Sequence, residues 1–534
     1  MIKRRYSSFL LILLISLSLT LNGCAAGGKG SASASSPDVA NTEPQAGGIL
    51  RVVFGASQSE SDLYPPTTAN QILLWNARPC LEPLFEMDSA GNVLPYLIED
   101  YLVSNDLKEY TLHVRKGITF SDGSPFDAEA IKWNFEQTQK EGINDFCNRM
   151  QEIDVVDPYT LRIRLDKADV LFIKMLATNK AALMVSPTAV KANGIEWAKT
   201  NPVGTGPFIL QSWDYGVEMV FVKNENYWQE GLPYLDGITY HFINNNAVLR
   251  ASYDNDEYDM VLNPSSSLLS ALMKEGERCV VYDYPYNAFN LWFPSAVEGS
   301  PFSSELVRKA VCHAIDMPSI IDALFGDEFI SVNQLSHPKN DNWNSDIQGY
   351  SYDVKKAKEL LSEAGYPNGF NTSIIAQSSE QNKLLCEAIQ SYLKEVGIMV
   401  SIDMADEARY VENVILNTWG DQMALIVYTF TPDEISSMVR MLNPETCLFL
   451  HTVNFSDAYH KAFDNILSSV TIEQAASCFR EADKILIDDE ALVLPVYICQ
   501  YAVAQKGHVH GAGTGLDSEI QTRYWRPESI WIEK

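Results

Sequence analysis

Tyr282 to Phe293 reads Tyr-Asp-Tyr-Pro-Tyr-Asn-Ala-Phe-Asn-Leu-Trp-Phe, a run of aromatic side chains set among turn-forming residues. Such side chains present wide apolar faces with polar edges, the chemistry of a clamp on a solute. The same run also fits a buried strand packed by aromatics, and both readings stand at this level. Groups for bond-making chemistry are harder to find. The chain holds no Gly-x-Ser-x-Gly, no His-Glu-x-x-His and no Gly-Lys-Ser/Thr phosphate loop. Among its 8 histidines only His508 and His510 are close in sequence. On a strand both rings would share one face and supply half a metal site, or simply end the strand in solvent. Cys312 and His313 sit in a helical pattern, where neighbours point about 100° apart and do not share a ligand. Asp488-Asp489 and Asp256-Glu257 are pairs that an acidic chain holds by chance, and nothing selects a glycosidase dyad. No catalytic residue, metal ligand or cofactor emerges from these patterns.

The elements that must position the aromatic run alternate between helices and strands, which predicts α/β layers. Gly48 to Phe54 and Tyr110 to Val114 read as strands, as do 398–402, 423–428 and 492–498. Helices are expected after Asp127 and over 304–325, 353–364, 380–396, 408–417 and 472–487. The 353–364 helix shows why. Asp353 is a suitable N-cap, Val354, Ala357, Leu360, Leu361 and Ala364 recur at helical spacing, and Gly365 closes the last turn.

The first residues carry a different signal. Lys3, Arg4 and Arg5 precede an apolar run from Phe9 to Leu21, too short for a membrane-spanning helix and suited to a signal peptide. Leu21-Asn22-Gly23-Cys24 follows and resembles a bacterial lipobox, with Asn22 a permitted but less usual member. Cys24 is the expected lipidation site, and two or more acyl chains on it would give a durable membrane anchor. Residues 24–47 then form a flexible Gly/Ala/Ser-rich tether. Without residues 1–23 the chain loses three cations, Lys3, Arg4 and Arg5, and its formal charge moves from −29 to −32.

The 534 residues carry 69 Asp+Glu against 40 Lys+Arg, which argues against nucleic acid, because a phosphate-binding surface needs clustered Lys and Arg. The length exceeds what one hydrophobic core supports. The cysteines beyond Cys24 are scattered with no CxxC pair, so one or two disulfides are possible outside the cytoplasm but buried thiols are the plainer expectation.

The segment Tyr110-Thr-Leu-His-Val-Arg-Lys-Gly-Ile-Thr-Phe-Ser-Asp-Gly-Ser-Pro-Phe-Asp-Ala-Glu-Ala-Ile-Lys-Trp-Asn-Phe-Glu136 resembles the signature of the family 5 extracellular solute-binding proteins. Further blocks agree in order: Asn201 to Phe208, Asn226-Tyr-Trp228 with Leu232 to Ile238, Leu306 to Asp316, Tyr352 to Phe370, and Leu494 to Tyr497 with Val509-His-Gly511. Gly117, Gly123, Gly204 and Gly206 in these blocks read as turn or close-packing positions, with Pro202 and Pro207 stiffening the chain between them.

The resemblance implies a two-lobed periplasmic-binding-protein-like α/β fold with an extra subdomain. Lobe I would comprise 48–88, 203–285 and 500–534, its subdomain 89–202, and lobe II 286–499. It implies a non-enzymatic monomer that needs no cofactor, takes a solute between the lobes and hands it to the permease and ATPase subunits of an ABC importer. The family's site positions fall on Asn70, Gln71 and Asn263 in lobe I, and on Phe289, Trp292 and Tyr428 in the crossing and lobe II. Peptide-binding members carry an Asp after the 423–428 strand to pair with the ligand's ammonium. Here Thr431 takes that place, with Asp433 two residues on. A neutral hydroxyl does not replace that charge-assisted bond, so a short peptide is expected on family frequency, with an oligosaccharide or metal chelate as alternatives. A lipid-anchored hydrolase on the same scaffold, or a receptor feeding a membrane sensor, are the competing functions.

Overall fold

The computed structural model describes residues 43–54, 62–68, 73–88, 91–142, 145–243, 245–326, 329–338, 340, 342–416, 418–429, 434–445, 447, 450–511 and 525–534. Asn70, Gln71, Thr431, Asp433, Cys24 and the signal segment lie outside them.

Two long strands organise the chain, Arg278–Trp292 and Val493–Gln505, paired antiparallel almost end to end. Their apolar and β-branched content favours extended backbone, but Pro285 has no N–H to give the ladder. The register accordingly shifts between Val281 and Pro285 and between Pro285 and Asn287, and it shifts again between Phe289 and Asn290, where Pro495 stands opposite. The two shifts at Pro285 fall near the middle of the ribbon, where such irregularities bend and twist a strand pair.

On one side of the shifts, Met423–Thr429, Asn371–Gln377 and Met399–Ala405 extend the sheet beyond Arg278–Trp292. On the other, Met260–Leu262, Ile49–Phe54, Gly237–Phe242, Glu218–Lys223 and Phe208–Asp214 follow in that order beyond the end of Val493–Gln505. Phe329–Ser331 pairs with Val493–Gln505 off this path.

The period-2 alternation of strand side chains divides residues 288–293 between two cores. Ala288 and Trp292, with Ala424, Ile426 and Tyr428, pack on one face against the helices Glu434–Leu442, Asp457–Leu467 and Ile472–Lys484. Leu291 and Phe293, with Met423 and Leu425, pack on the other against Glu305–Ala314, Met317–Phe325, Val354–Glu363 and Glu380–Glu395. A sheet covered on both faces needs near-continuous apolar strands, which is how Leu291 to Phe293 and Met423 to Val427 read.

The half containing Ile49–Phe54 has its own cores, one of which takes in Val503, Trp525 and Ile530 from the end of the chain. A four-stranded sheet of Ile98–Val103, Glu109–Val114, Thr160–Leu165 and Met150–Asp157 carries a further cluster from residues 84–184, under the helices Ala128–Glu141 and Phe172–Thr178.

Asp127 caps Ala128–Glu141 by accepting the Ala130 N–H at 2.9 Å, and Asp353 caps Val354–Glu363 by accepting that of Lys356 at 2.9 Å. The helix expected over 304–325 is two helices, broken at Ile315 and Asp316. Pro318 is the reason: its ring would meet the Ala314 carbonyl, and Asp316 instead caps a new helix through the Ser319 N–H. The strand expected over 492–498 continues to Gln505, and that over 398–402 to Ala405. Gly204 and Gly206 are close-packing positions, where a Cβ would stand 2.2 Å from the Cys80 carbonyl oxygen and 2.5 Å from that of Pro79.

The possible disulfides are not formed: all eight described cysteines are free thiols, and burial pushes the Cys279 thiol up to about 11 and those of Cys80, Cys386 and Cys499 up to about 12. His508 and His510 do not converge on a common point. The first meets Asp259 at 3.0 Å, and the second meets Glu533 at 3.1 Å while stacking on Trp531.

Candidate functional site

The strand directions locate the site. Ile49–Phe54, Gly237–Phe242 and Met260–Leu262 run parallel, and their carboxyl ends reach the level of Val503 on the spanning strand, where Leu262 pairs. Asn371–Gln377, Met399–Ala405 and Met423–Thr429 also run parallel to one another. Their carboxyl edge reaches Thr429, which pairs with Asn287, itself the partner of Cys499. Met260–Leu262 is antiparallel to the spanning strand, whereas Met423–Thr429 runs in its direction. The two carboxyl edges therefore point toward each other across residues 499–503, about 10–13 Å apart at about 3.3 Å per residue. Carboxyl ends of parallel strands are where open α/β sheets take ligands. Here two such edges face one gap.

Local sequence builds both edges. On the first, Asn263 ends its strand in the left-handed region at φ 49°, a conformation asparagine tolerates, and its N–H donates to the Ala502 carbonyl at 2.9 Å. Ser265 then caps the helix Ser266–Lys274. Upstream of Asn70, Asp62 accepts the Tyr64 N–H at 2.9 Å and the Thr67 hydroxyl at 2.7 Å, and buried Lys180 donates to the Thr68 carbonyl. On the second edge, Ser379 caps Glu380–Glu395, and the Ser378 N–H donates to the Ala405 carbonyl at 2.7 Å. Arg409 is committed locally. Its guanidinium bonds both oxygens of Asp403, at 2.6 and 3.0 Å, and the Arg409 bond holds that carboxyl below its usual value.

The expected site residues do not all share this gap. Asn263 lies on the first edge, half-buried. Phe289 is half-buried and stacks on Tyr497 at 4.3 Å between ring centroids, so one face is already covered. Trp292 and Tyr428 are both 0% exposed, side by side in the core at 6.2 Å between rings. No face of either opens to a solute in this conformation, and their placement is that of core residues. The strand alternation that buries them also buries Ala288 and Ile426.

Buried acids whose pKa values are raised lie elsewhere, and sequence reading missed them. The Glu82 carboxylate accepts hydrogen bonds from Tyr96 and Tyr227 at 2.7 Å each, from Thr205 at 2.7 Å and from the Trp228 indole at 2.9 Å. Beside it, Glu86 and Glu528 face Arg78 and Arg526. Burial raises the pKa of Glu82, and that of Glu86 to about 7. Perturbed acids mark active sites only where a substrate reaches them. These are sealed, so the network is a structural knot joining residues 78–96, 205, 227–229 and 526–528. A charge inside the apolar run Leu81-Glu82-Pro83-Leu84 was the available signal.

Residues 92–444 match the family described as bacterial extracellular solute-binding proteins, family 5 Middle. The chain belongs to this family. Similar curated proteins of the family 5 kind include the glutathione-binding protein GsiB of Salmonella paratyphi A and that of Escherichia coli O157:H7. Each is 29% identical over 343 residues, covering 63% of this chain and 66% of the relative. Similar solved structures include the ABC transporter-associated periplasmic binding protein DppA from Helicobacter pylori with the peptide STSA (TM-score 0.79, 22% identity, covering 92% of this chain and 99% of that one). NikA from Brucella suis with Fe(III)-EDTA is also similar (TM-score 0.78, 21% identity, covering 90% and 100%). The fold of this family 5 protein is therefore the two-lobed α/β fold of periplasmic binding proteins. Its family and fold neighbours are binding proteins, and the family is extracellular. Among the described residues no helix is long and apolar enough to cross a membrane.

Proposed function

We propose that this family 5 protein is the solute-capturing component of an ABC importer, closing two lobes on a short peptide and presenting the loaded form to a permease. The observation that carries this is the pair of opposed carboxyl edges across residues 499–503, because a solute between them touches both halves only when they approach. Such a ligand favours the closed form through that differential contact. No bond is made or broken.

In this reading lobe I is 48–88, 203–285 and 500–534, its subdomain 89–202, and lobe II 286–499. The register shifts around Pro285 support that division, since bulged, irregular ladder is where a spanning ribbon bends most readily. Asn70, Gln71 and Asn263 would meet the solute from lobe I, and Phe289, Thr431 and Asp433 from the crossing and lobe II. Helix N-termini capped by Ser265 and Ser379 lie at the two edges and suit the carboxylate of a peptide. Glutathione, which the GsiB relatives bind by name, is itself a short peptide and the first probe to try. Cys24 would carry the lipid that keeps the protein, as a monomer, at the membrane beside its permease and ATPase.

Native mass spectrometry of freshly purified protein tests the reading. A co-purifying mass that fragments as a peptide supports it. A co-purifying oligosaccharide or metal chelate replaces the substrate class.

A further inference from the structure

The apolar cluster beneath Trp292 and Tyr428 is built from buried residues of 288–498, with a single addition among the described residues. Leu171, only 4% exposed, belongs to it, and its neighbour Val170 packs against it. The next residues along the chain, Phe172, Ile173, Met175 and Leu176, belong to the separate cluster of 84–184. At Val170 and Leu171 the chain therefore leaves its own core and packs into the one built from residues 288–498.

The tip that carries it is held from several directions. Asp169 takes the Arg149 guanidinium on one carboxylate oxygen at 2.7 Å and the Leu171 N–H on the other at 2.9 Å. Its carbonyl accepts from the Tyr110 hydroxyl and from the Phe172 N–H, and its own N–H donates to the Leu107 carbonyl at 3.1 Å. The Leu171 carbonyl accepts the Met175 N–H at 2.9 Å, starting the helix Phe172–Thr178. A backbone fixed this completely cannot withdraw Leu171 on its own. Only relative movement of the two halves can unseat it.

We propose that Val170 and Leu171 form an interlobe latch, an apolar contact made on closure by the subdomain and lobe II and independent of the solute. The proposal rests on the lobe movement of the preceding reading and adds a regulator of it. A contact present only in the closed form raises the closed population before any ligand arrives, which lowers the conformational cost of binding. Burying one leucine is enough to shift such an equilibrium by about tenfold to a hundredfold. Affinity would then be set in part by residues that never touch the solute.

Small-angle X-ray scattering of the ligand-free protein tests the latch without reference to any solute. Leu171→Asp should raise the radius of gyration, Leu171→Ala should raise it less, and Leu171→Met should leave it at the wild-type value. Emission from the cluster that holds Trp292 and Trp419 should shift in the same order. Glutathione or dipeptide probes that bind the wild type should bind the Asp variant at least tenfold more weakly. If the Asp and Ala variants scatter as the wild type does, or if neither folds, Leu171 is an ordinary core residue and the proposal is wrong. If no peptide binds the wild type but the Asp variant opens, the latch stands and the peptide reading fails.

Discussion

The hydroxyl of Tyr227 donates to Glu82 at 2.7 Å, joining two residues that are both buried and lie 145 positions apart in the chain. With Tyr96, Thr205 and Trp228 it surrounds one carboxylate by four neutral donors. Removing the acceptor leaves those donors unpaired in a sealed site, which costs about 1–3 kcal/mol for each group that finds no substitute. Glu82→Ala should therefore lower the urea midpoint by the equivalent of about 3 kcal/mol or more. Glu82→Gln should lower it less, because its amide oxygen still accepts. Equal midpoints for the two variants would show that the hydrogen bonds are not what holds this region.

Glu86 supplies a pH dependence. Burial raises its pKa to about 7, against the pull of Arg526 and Arg78, from an unfolded value of about 4.3. The folded protein thus keeps a proton that the unfolded chain releases between those values. Stability falls as pH rises across that window and levels off above about 7, a change on the order of 1–3 kcal/mol. Melting temperature measured from about pH 5 to about pH 8 should decline in the wild type and decline less in Glu86→Gln. The same slope in both would assign it to other groups.

Gly206 is required by a close backbone approach. A Cβ there would lie 2.5 Å from the Pro79 carbonyl oxygen and 2.6 Å from that of Cys80, and neither atom is free to swing away. Gly206→Ala should cost about 2 kcal/mol or more in urea unfolding. Gly507→Ala, where a Cβ meets nothing within 4 Å, is the matched control and should stay within about 0.5 kcal/mol of wild type.

Cys24 tests the anchor. Cys24→Ala should move the protein from the membrane fraction to the soluble fraction on cell fractionation. Continued sedimentation with membranes would contradict a lipid hold at this residue.

Much of the fold was legible because its signals are local. Asp127 and Asp353 cap the helices expected after them, and Gly365 turns left-handed, at φ 92°, after Val354–Glu363. The break at Asp316 was legible in principle, since Pro318 stands in the middle of the expected helix, but apolar periodicity continues through it and hid the stop. The aromatic run left two readings open. A clamp and a doubly buried strand call for the same residue types, and only the tertiary covering on both faces separates them; in this conformation Trp292 of the run and Tyr428 of the neighbouring strand are buried. Glu82 escaped for the opposite reason: its partners Thr205 and Tyr227 come from loops far along the chain, and no spacing announces them. Leu171 is one apolar residue at a helix start, unremarkable until the other half of the molecule covers it.

Capture of a short peptide between the lobes is tested most directly by a thermal titration of the purified protein with glutathione, a panel of di- to pentapeptides, oligosaccharides and Ni²⁺. A ligand that binds only the folded state raises the melting temperature with its concentration, by the equivalent of about 2.7 kcal/mol at one hundred times its dissociation constant. At least one peptide should do so, and no sugar or metal should match it. A shift given by an oligosaccharide or Ni²⁺ and by none of the peptides would contradict the account.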